Sequence, residues 1–214
     1  MQVSEIFYTL QGEGINLGQP AVFLRLAGCH LRCVWCDSKF TWNMKSGSTM
    51  STAEIIKEIK KYPCKNLVIT GGEPLIQQSA IKELIEKLNG KSKKYYIEIE
   101  TSGSLKTHLN DYINHYNCSP KLSHSGNKKF TLEEFPAEKT WYKFVVDSKK
   151  DLTEIKKIMK DYKLPKERII LMPQGVEYKE LSQKSQWLAE ICKAENLRFS
   201  PRLHIYIWGN KRAT

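Results

Sequence analysis

Apolar and polar positions change rhythm repeatedly along this chain. Pro20 to Ala27 (PAVFLRLA) is a near-continuous apolar run, the pattern of a buried strand, and it opens into a loop rich in cysteine. Ser51-Thr52-Ala53-Glu54 forms a capping box that starts a helix running to about Tyr62. Asn66 to Thr70 (NLVIT) predicts a short strand, followed by Gly71-Gly72-Glu73-Pro74 and a helix to about Leu88, ended by Asn89-Gly90. Tyr95 to Glu100 (YYIEIE) alternates as a strand does and runs into Thr101-Ser102-Gly103. A weak helix, a short strand before Ser119-Pro120-Lys121 and a polar loop to about Thr140 come next. Tyr142 to Val146, Arg168 to Met172 and Arg198 to Ser200 read as strands, with helices from Leu152 to Tyr162 and Tyr178 to Asn196 between them.

Strands alternating with helices imply a parallel sheet covered by helices. No repeat, low-complexity tract or linker divides the chain, so residues 1–214 are expected to form one domain. The unusual residues follow strands: Gly28-Cys29, Gly71-Gly72-Glu73, Thr101-Ser102-Gly103, Ser119-Pro120-Lys121 and Pro173-Gln174-Gly175. Chemistry gathered at the carboxyl ends of strands is the barrel arrangement, and a full eight-stranded barrel needs about 250 residues. The expected fold is therefore α/β, a partial, shortened TIM-like barrel of parallel strands with outer helices.

Charge adds less than it first suggests. The net charge of +11 invites a nucleic-acid reading, but the lysines sit beside glutamates in helical segments, as in Lys82, Glu83, Glu86 and Lys87. Solvated helix faces look like this, and no nucleic-acid motif accompanies them. An acidic protein partner or an anionic small substrate suits the charge equally well. The first residues show neither the basic nor the apolar run of a secretory leader, and the apolar runs are strand-sized, too short to span a membrane. A reducing cytoplasm is the expected setting, with Cys64, Cys118 and Cys192 as small buried hydrophobes.

Cys29, Cys33 and Cys36 are different. They form a C-x3-C-x2-C run with Trp35 directly before the last cysteine. Three thiolates leave one position open, whether the centre is zinc or an iron–sulfur cluster. The zinc reading lacks a fourth ligand, since His30 stands at no common ligand spacing and no second C-x2-C follows. The cluster reading leaves one iron for a ligand from outside.

That run, followed by a strand and Gly-Gly-Glu-Pro, resembles the radical S-adenosylmethionine enzymes. More closely, several segments are similar to the 7-carboxy-7-deazaguanine synthase family: Phe7 to Gly14 (FYTLQGEG), Phe23 to Cys29, Trp35 to Trp42 (WCDSKFTW), Thr70 to Pro74, Glu100 to Gly103, Ser119 to Leu122, and the tail from Ser200 to His204 with Trp208 to Arg212. The resemblance spans nearly the whole chain. It implies a radical S-adenosylmethionine core holding a [4Fe–4S] cluster, S-adenosylmethionine and Mg2+, acting as a homodimer. The implied reaction converts 6-carboxy-5,6,7,8-tetrahydropterin to 7-carboxy-7-deazaguanine with loss of ammonia, toward queuosine and related 7-deazapurines. An acidic, flavodoxin-like electron donor is the partner expected from the basic charge near the cysteines, at Arg32 and Lys39.

The resemblance also implies site residues. Cys29, Cys33 and Cys36 would hold the cluster, and Ser38 the magnesium ion. Leu10, Gln11, Gly12, Glu13, Arg25 and Thr70 would bind substrate, while Gly72, Glu73, Ser102, Ser119, Lys121 and Gln174 would bind S-adenosylmethionine. The residues speak for some of this alone. Gln and Glu can match the donor–acceptor edge of a pterin, although a polar turn between two strands is also an adequate account of them. Arg25, inside an otherwise apolar strand, needs an anionic partner, either a substrate carboxylate or an acid of the chain. Asp37-Ser38 would otherwise read as a helix cap. A radical-enzyme activase shares the cluster motif, but Gln11-Gly12-Glu13-Gly14 and Ser119-Pro120-Lys121 argue against it, as the missing fourth ligand does against a zinc module.

Overall fold

In the computed structural model, which describes residues 1–90, 94–127 and 129–214, the strand-like stretches assemble into one nine-stranded sheet. Its strands are β1 (Gln2–Leu10), β2 (Pro20–Leu26), β3 (Ser48–Thr49), β4 (Asn66–Gly71), β5 (Tyr96–Thr101), β6 (His115–Cys118), β7 (Thr140–Val146), β8 (Ile169–Pro173) and β9 (Arg198–Phe199). They lie in the order β3-β1-β2-β4-β5-β6-β7-β8-β9. β1 pairs antiparallel with β2 and β3, and every pairing from β2 onward is parallel. The end strands keep one neighbour each, so the barrel stays open, as a chain of this length requires.

The helices are α1 (Thr52–Ile59), α2 (Gln78–Asn89), α3 (Asp151–Asp161), α4 (Tyr178–Glu195) and α5 (Leu203–Trp208). The Ser51 capping box is formed: its hydroxyl accepts from Glu54 N, and the Glu54 carboxylate accepts from Ser51 N. A 3-10 turn at Pro74–Gln77 leads into α2. The helix expected after Gly103 is absent. There Leu109 N donates to Thr107 Oγ1 at 3.1 Å and Tyr112 N to Leu109 O at 2.9 Å, turn bonds in place of a helical ladder. In the tail, α5 forms where only a motif had been visible. Residues 91–93, and Lys128 within the polar loop expected up to Thr140, lie outside the described residues. No helix among the described residues is long and apolar enough to cross a membrane.

Strand alternation gives the sheet two unlike faces. Leu24, Leu26, Leu67, Ile69, Ile97, Ile99 and Tyr116 pack against Ile55 and Ile59 of α1 and Ile81, Leu84, Ile85 and Leu88 of α2. Phe144, Val146, Ile169 and Leu171 pack against Ile155 of α3 and Leu188 and Cys192 of α4. The opposite, concave face holds only a small apolar cluster of Phe7, Ala21, Phe23 and Val68. Beside that cluster, residues two apart carry charge and amide: Glu98 and Glu100, His115 and Asn117, Lys143. Apolar burial under the helices stabilises the fold, roughly 25 cal/mol for each Å² removed from water, and leaves the inner face for chemistry.

Candidate active site

The loop after β2 folds back on the turn that follows the cysteines. Gly28 N donates to Thr41 O at 2.7 Å, Cys29 N to Trp42 O at 3.1 Å, and Cys36 N to Cys33 O at 3.1 Å. These bonds bring Cys29, Cys33 and Cys36 to one cavity of about 170 Å³ at the carboxyl ends of the strands. All six cysteines of the chain are free thiols. Burial pushes the Cys29 thiol up to about 11 and raises that of Cys36, so metal-free thiols are protonated near neutral pH and iron must displace protons to bind. Among the described residues, no three Cys, His, Asp or Glu side chains converge as ligands of a single ion. Three free thiols on one cavity are soft ligands of the kind an iron–sulfur cluster takes.

The second motif touches the first. A Cβ on Gly72 would lie 2.3 Å from Gly28 O and 2.8 Å from Cys29 Cβ, so only glycine fits there. Glu73 N donates to Gly28 O at 2.8 Å and Gly72 N to Leu26 O at 3.1 Å. The buried Glu73 carboxylate accepts from Thr101 Oγ1 at 2.7 Å, Ser102 N at 2.9 Å, Ser102 Oγ at 2.5 Å and Leu75 N at 3.2 Å. It therefore clamps the end of β4 to the end of β5. Its lone pairs are occupied by the chain itself.

A second cavity of about 220 Å³ adjoins the first. Leu10, Gln11, Gly12 and Arg25 line it, whereas Gly72, Glu73, Ser102, Ser119, Lys121 and Gln174 line the cysteine cavity. Glu13, Ser38 and Thr70 border both. Every residue named from the sequence as a cluster, magnesium, substrate or S-adenosylmethionine contact thus borders one of these two spaces. Ser38 stands at the N-cap of a 3-10 turn, Lys39–Thr41, but its hydroxyl makes no capping bond and donates instead to Asp37 Oδ1 at 2.9 Å. The Gln11 carboxamide is engaged inside the chain, with Nε2 donating to Glu98 Oε1 at 2.8 Å and Glu100 Oε1 at 3.1 Å, and Oε1 accepting from Glu13 N at 3.2 Å. Arg25 pairs through Nε with Glu5 at 2.9 Å and lies over the Phe7 ring. Among the described residues its Nη groups have no hydrogen-bond partner. Lys121 Nζ donates to Ser119 Oγ at 3.0 Å and lies 5.6 Å from the Trp35 ring centre. Gln174 Oε1 accepts from Lys184 Nζ at 2.9 Å.

The wall between the cavities is an ion network that the sequence reading did not anticipate. Glu13 pairs with Lys143 and with Arg202 Nε at 3.0 Å. Arg202 also pairs with Asp37 and donates to Gly175 O at 2.5 Å. Burial opposes ionisation of Glu13, but Lys143 and Arg202 overcome it and hold the carboxyl far below the usual range. Burial likewise disfavours the charged forms of Lys143 and Arg202, and the facing carboxylates raise both nonetheless. Asp37, Glu100, Asn117, Lys143, Arg202 and His204 also line these cavities and were missed. Lys143 carries the signal that exposed Arg25, a lone charge in an apolar strand.

Comparison with known proteins agrees with this architecture. The family described as "4Fe-4S single cluster domain" matches residues 10–119. The 7-carboxy-7-deazaguanine synthase of Pyrobaculum aerophilum is 39% identical over 217 residues, covering 99% of this chain and 96% of that protein. Among solved structures, QueE from Escherichia coli superposes with a TM-score of 0.74 at 26% identity, over 95% of this chain and 94% of its own. The structure of anSMEcpe with bound AdoMet and a peptide shares the fold, with a TM-score of 0.55 at 16% identity over 85% of this chain and 63% of that one.

Behind Gln11, Glu98 is buried, with Asn16 Nδ2 on its second oxygen at 2.7 Å. Burial, reinforced by Glu100, pushes its carboxyl up to about 7. The folded chain then binds a proton that the unfolded chain has released, so stability falls as pH rises from the ordinary carboxylate value of 4.5 to about 7. The loss is on the order of 3 kcal/mol across that window. Glu98→Gln should abolish this dependence. Denaturant midpoints at pH 5 and pH 8 check it: wild type should do better relative to the variant at pH 5 than at pH 8, and an unchanged difference would refute the assignment.

Proposed function

The chain belongs to the 7-carboxy-7-deazaguanine synthase family, and from that premise we propose that it converts 6-carboxy-5,6,7,8-tetrahydropterin to 7-carboxy-7-deazaguanine with loss of ammonia, a radical-enzyme lyase step toward queuosine and related 7-deazapurines. One observation carries the reading: a cavity ringed by three free thiols opens onto a second, cation-bearing cavity across a wall formed by Glu13, Thr70, Glu100 and Arg202. Cysteine loop and pterin-sized space are contiguous, as a reaction between a bound cofactor and a small heterocycle requires.

In this reading Cys29, Cys33 and Cys36 hold the [4Fe–4S] cluster, and Gly72, Glu73, Ser102, Ser119, Lys121 and Gln174 surround S-adenosylmethionine. When bound, these groups supply one-electron chemistry that no side chain can provide. The chain's task is to orient and to exclude water. Arg25, fixed through Nε by Glu5, turns its remaining donors to the substrate carboxylate. Leu10, Gln11, Gly12 and Glu13 form the loop against the pterin, with Gln11 locked by two acids and Glu13 by two cations. Thr70, whose hydroxyl donates to Glu100 at 2.9 Å, faces the same ligand. Ser38 offers an uncapped hydroxyl beside the Asp37 carboxylate, both oxygen donors of the kind Mg2+ takes while keeping waters. Trp35, stacked on His124 and covered by Lys121, shields the cluster end of the cavity.

The proposal extends to setting and partners. A single domain over 1–214 is supported by one continuous sheet among the described residues. A cytoplasmic setting is supported by the free cysteines. A homodimer is supported by the family resemblance and by Tyr178 and Ile207, large apolar side chains left exposed. The donor is an acidic, flavodoxin-like protein. A broad groove lined by His30, Arg32, Lys39 and Trp42 lies beside the cysteine loop, and both Arg32 and Lys39 sit over the Trp42 ring.

Three experiments test this reading. Replacing Cys29, Cys33 or Cys36 by Ala should remove most reconstituted iron and all turnover of the carboxylated tetrahydropterin; stoichiometric zinc with no iron-dependent absorbance in wild type would sink it. Arg25→Lys keeps the charge but loses the planar fork, so pterin affinity should drop by about tenfold, and an unchanged affinity would return Arg25 to a pairing role with Glu5 alone. Turnover driven by flavodoxin should fall as ionic strength rises, because exposed charges are screened beyond about 10 Å at 0.1 M salt. Turnover with a small chemical reductant should stay nearly flat; equal salt sensitivity with both donors counts against docking at Arg32 and Lys39.

A further inference from the structure

Asn117 is a buried amide for which the described residues provide no partner. It is 1% exposed, and among the described residues neither Nδ2 nor Oδ1 has a hydrogen bond. Buried carboxamides are nearly always paired, because leaving one dry and unbonded is unfavourable at both ends. This one lines the cysteine cavity at its border with the second, opposite Glu100, which lines both, and under the loop that carries Gln11 to Gly14. The fit there is close: a Cβ on Gly14 would lie 2.7 Å from Asn117 Nδ2.

Register places Asn117 in a row with the substrate residues. Arg25 stands opposite Thr70 across β2 and β4. The Thr70 hydroxyl donates to Glu100 on β5, and Glu100 stands opposite Asn117 on β6. One row therefore runs over adjacent strands of the concave face, from a guanidinium at one end to an unpaired amide at the other. The residues assigned to S-adenosylmethionine lie one step farther toward the strand ends. Gly72 is two positions past Thr70, Ser102 two past Glu100, and Ser119 two past Asn117. Two residues of strand amount to about 6–7 Å, enough to separate a cofactor layer from a substrate layer.

We propose that Asn117 is a substrate-binding residue whose carboxamide pairs with the pyrimidinone edge of the pterin. That edge presents a ring carbonyl next to a ring N–H. A carboxamide presents a donor next to an acceptor, so a single ligand edge satisfies both orphaned atoms at once. A carboxylate, with two acceptors, cannot do this, and Glu100 beside it is already taken by Thr70 and Gln11. The assignment rests on the pterin reading above and deepens it.

The test uses anaerobically reconstituted wild type, Asn117→Leu and Asn117→Asp. Affinity for 6-carboxytetrahydropterin and, separately, for S-adenosylmethionine without pterin is measured, with melting of the metal-free proteins as a third readout. Leu removes an unpaired buried amide, so the metal-free Leu variant should melt at or above wild type. Pterin affinity should fall by about tenfold or more in both variants, the loss expected for a paired buried group, with S-adenosylmethionine affinity unchanged. Loss of S-adenosylmethionine affinity with pterin binding retained would overturn the inference, and so would lower melting of both variants with pterin affinity intact. If the Leu variant does not fold, the Asp variant decides alone. Wild type that fails to bind the pterin would bring down the parent reading and this inference with it; wild-type binding matched by both variants would bring down only the inference.

Discussion

The ion network around Glu13 ties together segments that lie far apart in sequence. Glu13 comes from the loop after β1, Lys143 from the middle of β7, Asp37 from just behind the cysteines, and Arg202 from the start of α5. Each charge is tolerable only because the others are present. Removing one partner of a buried pair typically costs roughly 3–5 kcal/mol, since the remaining charge is stranded out of water. The same network is part of the wall between the two cavities, so their separation depends on it. Arg202 does the most: it bridges Glu13 and Asp37 and also fixes the backbone at Gly175, next to Gln174.

The open sheet makes such a network possible. A closed eight-stranded barrel fills its interior with layers of branched side chains. Here the apolar faces of the strands turn outward to the helices, and the concave side is left to Glu98, Glu100, Asn117, Lys143 and Arg25. Burying that many polar groups requires partners for each. Gln11 serves Glu98 and Glu100, Glu5 serves Arg25, and Glu13 serves Lys143. The groups still unsatisfied after this pairing are informative about what enters from outside.

Much of this was legible in the sequence, for identifiable reasons. Period and turn residues placed seven of the nine strands and the Ser51 helix start because both are local effects, whereas β1 and β3, the antiparallel edge of the sheet, were not read as strands. The cysteine spacing and Gly71-Gly72 were legible because no packing role needs those residues there, and the structure adds that the two loops touch through Gly72. Arg25 was visible as a charge in an apolar strand. Lys143 bore the same mark within Tyr142 to Val146 and was passed over, because a lone lysine on a basic chain draws little notice. Asp37 and Arg202 were hidden differently. Each sat inside a segment already noted, but their pairing spans 165 residues and depends on how β7, α5 and the cysteine loop come together. Asn117 had no signal at all, since an asparagine in a short strand carries no pattern; only its burial without a partner distinguishes it.

Charge in the second cavity follows from the same reasoning. Glu5 pairs with Arg25 on one side and with Arg212 at 2.7 Å on the other, so one carboxylate serves two guanidiniums. Arg212 is further held over the Phe40 ring, 3.8 Å from its centre, which keeps it at the cavity edge. Lys211 lines the same space. His204 adds little: burial, the largest influence on it, lowers its proton affinity, which favours the neutral ring near neutral pH. The space between the β1 loop and the tail is thus lined by four acids, Glu5, Glu13, Asp37 and Glu100, and four cations, Arg25, Arg202, Lys211 and Arg212, with Arg25 and Arg212 sharing Glu5. Two guanidiniums on one carboxylate keep donors free for a second acceptor, which a ligand carboxylate would supply and a neutral heterocycle would not.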